Sequence, residues 1–233
     1  AYYVSDGGAY KSRESTSSTI LPEATNYGGV VEFLTAATDN DELYMQAAQN
    51  GAVGGLPYII TSGSFKPTYY ETCFKLTAAS FDCGLALGLA TGNLAAAATM
   101  VDDTMIMASG AGFIGFKSST TSTLNFSWKA ASQTVQSIAL TNLASAANVY
   151  DSSVLVTGLW NHVGFLLNPL ADASKRIRIF VNNIEQTTFV TDTNIAAATF
   201  PSAIPMSPIW GLKNGTAAAR TLDIDYTAVW QGR

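Results

Sequence analysis

From Val30 onward the chain is a succession of short runs, rich in β-branched and aromatic residues, cut apart by Gly, Asn, Asp and Ser clusters. The runs are VVEFLT (30–35), LPYIIT (56–61), TYYETCFKL (68–76), CGLALGLA (83–90), TMIMAS (104–109), GFIGFK (112–117), TLNFSWKA (123–130), TVQSIALT (134–141), WNHVGFLLN (160–168), KRIRIFVNN (175–183), SPIWGLKN (207–214) and RTLDIDYTAVWQ (220–231). Such side chains fit a pleated surface and each turn cluster ends a strand, so this spacing predicts an antiparallel sandwich or barrel. Helix signals are few. DNDELYMQAAQNG (39–51) has an Asp/Asn start, an acidic first turn and a Gly stop, which predicts a helix of about three turns. NLAAAATM (93–100) reads as a loop with a helical turn.

Alternation within the runs assigns faces. In KRIRIFVNN, Ile177, Ile179 and Val181 point one way and Arg176, Arg178 and Phe180 the other, while Asn182-Asn183 tolerates the left-handed backbone of a tight hairpin turn. Val163, Phe165 and Leu167 are inward on the same argument, and Asn214-Gly215 marks another turn. In TYYETCFKL the inward set is Tyr70, Thr72, Phe74 and Leu76, which leaves Cys73 outward; Cys83 shares the core face with Leu85, Leu87 and Leu89. Residues on opposite faces cannot meet disulfide geometry, so both thiols are expected to be free. Trp128, Trp160, Trp210 and Trp230, with Tyr69 and Tyr226, are expected in the core, the alternative being a sugar-binding groove.

The chain has 233 residues, a length suited to one large sandwich, and shows no internal repeat or domain linker. Residues 1–29 lack apolar periodicity and read as an extended arm carrying Tyr2, Tyr3, Tyr10, Lys11 and Arg13, residue types that anchor interfaces. Only 12% of residues are charged, about half the usual share, and a surface so poor in ions is cheap to desolvate against a larger assembly. The net charge is −5 and the densest basic run is Lys175, Arg176 and Arg178, which argues against nucleic acid. No uncharged apolar run has the length of a membrane span, so no membrane partner is expected.

Three pieces together resemble the concanavalin-like, laminin-G-like jelly-roll superfamily. They are Trp160-Asn161-His162-Val163-Gly164-Phe165, the strand Arg176 to Val181 running into Asn182-Asn183, and the closing strand Leu222-Asp223-Ile224-Asp225-Tyr226-Thr227-Ala228-Val229-Trp230. Tyr69 to Leu76 is similar to that family's early core strand, so the resemblance spans roughly residues 65–231. It implies an all-β, antiparallel two-sheet jelly-roll sandwich over 30–233 with an extended N-terminal arm over 1–29. The ending PIWGLKNGTAAARTLDIDYTAVWQGR, with GLALGLA and GFIGFKS, also looks like tailed-bacteriophage proteins that carry this jelly roll. Some of those decorate or cement the capsid. That resemblance implies a virion structural protein without enzymatic activity, made in the host cytoplasm and seated on the capsid surface as a homo-oligomer, a trimer. Its partner would be the major capsid protein, held through the arm residues Tyr2, Tyr3, Tyr10, Lys11 and Arg13. The alternative is a carbohydrate-binding module of a phage tail or virion surface, with a glycan as partner.

Catalytic signatures are sparse. Superfamily glycosidases pair carboxylates on one strand, whereas no two of Glu14, Glu23, Glu32, Glu42, Glu71 and Glu185 lie on one short strand. His162 is the single histidine and lies inside the strand motif, which predicts a structural role. Asp223 and Asp225 share a strand face, but no third ligand stands nearby for Ca²⁺. GAGFIG (110–115) has bend and packing glycines rather than a phosphate loop. The expectation is therefore no catalytic residue, no metal and no cofactor.

Overall fold

Strand β5 (Thr68–Ala78) shows how this sequence makes sheet. Its burial alternates residue by residue, with Tyr70, Thr72, Phe74 and Leu76 inside and Tyr69, Glu71, Cys73 and Lys75 on the other face. One face of every such strand must be covered, and two sheets packed face to face cover each other. The computed structural model describes residues 8–13, 18–22, 29–49, 58–91, 100, 112–119, 121–146 and 149–232.

The first sheet runs in the order β1 (Gly8–Arg13), β4 (Glu42–Gln49), β15 (Ser207–Asn214), β6 (Cys83–Ala90), β7 (Phe113–Ser119), β8 (Thr121–Lys129) and β9 (Gln136–Ala139). The second runs β14 (Ile184–Glu185), β13 (Ile177–Val181), β12 (Trp160–Leu167), β5, β16 (Arg220–Gln231), β3 (Val31–Leu34) and β2 (Thr19–Pro22). All these pairings are antiparallel. Some consecutive strands, such as β6 to β9 and β12 to β14, pair as hairpins. By contrast, β5 and β6 or β15 and β16 lie in opposite sheets, so the central pairings β5–β16, β6–β15 and β5–β12 join segments remote in sequence. That is the jelly-roll sandwich the resemblance implies. A small hairpin, β10 (Leu143–Ala144) with β11 (Tyr150–Ser152), and one short helix, α1 (Asp192–Ala196), sit outside the sheets.

Between the sheets, Phe165 stacks on Tyr70 with ring centroids 5.5 Å apart and meets Phe126 edge-on at 5.4 Å. Val163, Leu167, Ile177, Ile179 and Val181 are fully buried around them, as alternation requires. Trp128 and Trp210 are core residues too. Cys83 is buried and Cys73 half-buried on the opposite face, both as free thiols. The Asn182-Asn183 turn has φ of 49° and 65°, the left-handed pair a two-residue hairpin needs. Asn214-Gly215 begins a longer connection, pinned by the buried Arg220 guanidinium, which donates to the carbonyls of Ser80, Thr216 and Ala218.

Two sequence expectations differ. The segment 39–51 contains strand β4 in place of a helix: Leu43 and Met45 face the core, and pairing with β1 and β15 overrides the capping signals at its ends. LPYIIT yields only isolated bridges at Tyr58 and Thr61, its first two residues lying outside the described ones. The runs at 93–99 and 104–109 also lie outside them. The described parts of the arm are extended, and they are paired: β1 flanks β4 and β2 flanks β3, while Ser18 hydrogen-bonds the Asp41 carboxylate and Ile20 packs on the core. Tyr10, Lys11 and Arg13 stand in register with Ala47, Gln46 and Tyr44; Tyr2 and Tyr3 lie outside the described residues.

Candidate functional site

Among the described residues, the outer face of the second sheet gathers a set of aromatic and ionisable side chains. Strand β5 presents Tyr69, Glu71, Cys73 and Lys75, β12 presents Trp160 and His162, and β16 presents Tyr226 and Trp230. Register makes them neighbours: Trp230 lies opposite Tyr69, Tyr226 and His162 both lie opposite Cys73, and Trp160 lies opposite Lys75. Across Glu71 stands Gly164, so no side chain there separates its carboxylate from His162.

A β-bulge brings Tyr226 to this face. Asp223 points outward beside Lys75, so unbroken alternation would turn Tyr226 into the core. The register shifts between Ile224 and Tyr226, with Asp225 as the extra residue. Tyr226 then faces out, and Thr227 faces in, where its hydroxyl accepts from Trp210 Nε1 at 2.8 Å.

The result is a hydrogen-bonded cluster. His162 Nε2 is 3.0 Å from Glu71 Oε2 and 2.8 Å from the Tyr226 hydroxyl, and His162 Nδ1 is 3.2 Å from Asn183 Oδ1. The Tyr69 hydroxyl donates to the same Glu71 oxygen. His162 and Glu71 keep 25% and 20% side-chain exposure, enough for a ligand to reach them. Burial, then the nearby Glu71, Cys73 and Asp225, pushes the Tyr226 phenol up to about 12, so it stays a hydrogen-bond donor at neutral pH. Burial, then its bond to Glu71, raises Tyr69 as well. Cys73 is pushed up to about 11 by burial and by Asp225 and Glu71, which keeps the thiol protonated and unreactive. A carboxylate, an imidazole and a phenol within hydrogen-bond reach can hold a sugar hydroxyl or hand on a proton.

Lys75 forms an ion pair with Asp223 at 2.8 Å and lies 5.0 Å from the centroid of the Trp160 ring. Arg178 pairs with Glu185. Asp223 is thus engaged by a lysine, and Asp225 is the bulge residue.

The outer face of the first sheet is closed. Tyr44, Ala86, Ala90, Phe113 and Ile209 are buried there with Met100. Lys213 is buried with them, its Nζ donating to the Met100 carbonyl at 3.0 Å and lying 3.7 Å from Glu42. Burial holds Lys117, on the same face, down to about 8.

His162 is therefore no core residue: on β12 it alternates with the inward Asn161 and Val163. Of the tryptophans and tyrosines expected inside, Trp160, Tyr69, Tyr226 and Trp230 collect on this outer face, Trp230 with 56% exposure. The alternation that exposes His162 was readable in the sequence; the bulge that exposes Tyr226 carries no glycine or other local signal.

No known family model matches the chain, and no curated protein sequence does. Solved structures do. A protein of unknown function from Shewanella oneidensis MR-1 is 15% identical, with a TM-score of 0.52, over 99% of this chain and 80% of that one. A family 7 alginate lyase, A1-II′, is 7% identical with a TM-score of 0.54, over 94% and 85% of the two chains. The carbohydrate recognition domain of Emp46p is 13% identical with a TM-score of 0.50, over 98% and 90%. Phage capsid proteins, implied by the closing residues, have no counterpart among these neighbours. The expectation of a chain without enzymatic activity is overturned by the alginate lyases that share its architecture, and the Glu71–His162–Tyr226 cluster removes its other ground, the apparent lack of convergent polar groups. At such identities the likeness establishes the fold, a concanavalin-like jelly roll, and leaves the reaction undetermined.

Proposed function

We propose that this chain binds polysaccharide on the outer face of its second sheet. The observation that carries the reading is the exposed Trp230 ring opposite Tyr69, beside the Glu71–His162–Tyr226 cluster. A sugar ring has an apolar face, which an aromatic ring covers, and a rim of hydroxyls, which need convergent donors and acceptors. This face supplies both. The fold is one that a carbohydrate recognition domain and an alginate lyase also use.

A glycan array followed by calorimetry tests it. Binding should be competed by soluble sugar, and Trp230→Ala should weaken it about tenfold or more while leaving the melting temperature within a few degrees. The absence of glycan binding, or a Trp230→Ala variant that binds as tightly as the parent, would overturn the reading.

A further inference from the structure

We infer that this face takes uncharged polysaccharides and turns away polyuronates, with Glu71 and Asp225 setting the choice; the inference rests on the carbohydrate-binding reading above. The charges on the face are of two kinds. Lys75 and Asp223 neutralise each other at 2.8 Å, and Arg178 and Glu185 form a second pair. Glu32 on β3, in register with Asp223, is engaged as well and lies at the far end of β16 from Trp230. Glu71 and Asp225 are left over. Among the described residues, Glu71 has only the imidazole of His162 within ion-pair distance, and Asp225 has no cation there.

These two carboxylates converge. Both act on the Cys73 thiol and on the Tyr226 phenol, raising each. Register places them about the point where Tyr226 and His162 both stand opposite Cys73: Glu71 is two residues along β5 from Cys73, and Asp225 is the bulge residue next to Tyr226. That point lies four residues along the strands from the Trp230–Tyr69 pair. A neutral sugar seated on those rings presents hydroxyls, which donate to Glu71 and Asp225. A uronate chain presents a carboxylate on every ring, which neither Glu71 nor Asp225 can receive. Like charges brought together across an interface are a standard means of rejecting the wrong partner. The net charge of −5 opposes approach of a polyanion as well. The architecture shared with an alginate lyase thus does not transfer its substrate to this face.

The test compares a neutral β-glucan hexasaccharide with an alginate hexasaccharide by calorimetry, on the intact chain and on Trp230→Ala and Asp225→Asn. The quantity read is the affinity that Trp230→Ala abolishes, which confines it to this face. The glucan should bind more tightly by about fivefold or more at low salt. The gap should narrow in about 0.5 M salt, which screens exposed charges, and narrow again in Asp225→Asn. Trp230-dependent alginate binding equal to or tighter than glucan binding would overturn the inference while leaving the carbohydrate reading in place. So would a gap that neither salt nor Asp225→Asn changes. If neither oligosaccharide nor any array glycan binds, the carbohydrate reading itself fails and takes the inference with it.

Discussion

His162 Nε2 stands 2.8 Å from the Tyr226 hydroxyl and 3.0 Å from Glu71 Oε2, so one nitrogen serves two partners. The amide oxygen of Asn183 faces Nδ1 at 3.2 Å and can only accept, which puts a proton on Nδ1. In the neutral ring Nε2 is then a lone pair that accepts from the Tyr226 O–H. In the charged ring it is a donor, and Glu71 becomes its natural acceptor. The cluster can thus change partner without moving a backbone atom, a property that would suit the carbohydrate binding proposed for this face.

Tyr226→Phe removes that donor and keeps the ring. The side chain lies on the outer face and is only half-buried, so the melting temperature should stay within a few degrees. Glycan affinity should fall by about five- to tenfold, the worth of one hydrogen bond between ligand and protein. Calorimetry on the glycan chosen from the array reads it, and an unchanged affinity would remove Tyr226 from the binding face.

Phe165 is fully buried, stacked on Tyr70 and edge-on to Phe126. Phe165→Ala removes its contacts with both sheets at once, and the surrounding strands cannot collapse into the space. Urea unfolding should show a loss of roughly 3–5 kcal/mol. A loss under about 1 kcal/mol would contradict its place at the centre of the core.

Gly88 and Gly115 lie opposite each other on β6 and β7. A Cβ on Gly88 would come within 2.3 Å of the Ile114 carbonyl oxygen and 2.7 Å of Gly115 Cα, both backbone atoms that cannot swing aside. Gly88→Ala should therefore push the two strands apart and cost about 1–3 kcal/mol or more. The neighbouring Ala86→Gly, which adds no atom, should cost about 1 kcal/mol or less. Equal and small effects in chemical denaturation would show that the strands do not approach so closely.

Alternation made much of this legible in the sequence. The inward rows Tyr70, Thr72, Phe74, Leu76 and Ile177, Ile179, Val181 follow from period two alone, and Asn182-Asn183 follows from the tolerance of asparagine for positive φ. The same rule puts His162 outside, yet the strand motif around it suggested a core residue. Strand β4 was hidden because Asp39, Asn40 and Gly51 mimic helix ends, while the partners that make 42–49 a strand lie at 8–13 and 207–214. The bulge at Asp225 depends on the register of β16 against β5, which local sequence does not specify. Burial of Lys117 and Lys213 depends on what packs over the first sheet, again a relationship between distant segments.

Lys117 gives the last prediction. It is 5% exposed, its Nζ donates to the Ser118 carbonyl at 3.1 Å, and burial lowers its pKa from the ordinary 10.5 to about 8. Below about pH 8 the amine is charged in both folded and unfolded chains, so the desolvation cost is fully present. Between about 8 and 10.5 the unfolded chain still holds a proton that the folded chain has released. The unfolded state then binds more protons, and this group makes stability rise with pH across that window. Lys117→Met keeps the length of the stem and removes the charge. At neutral pH it should stabilise the fold by something on the order of 2 kcal/mol, and the advantage should shrink as pH climbs through the window toward about 10. The thiols of Cys73 and Cys83, both raised to about 11, act in the opposite sense over part of that range and lose stability as pH rises. They are common to parent and variant, so the difference between the two isolates Lys117. Urea unfolding of both proteins at neutral pH and at about pH 10 measures it. A difference that does not change with pH would mean that Lys117 keeps its proton in the folded chain and is not held in a dry environment.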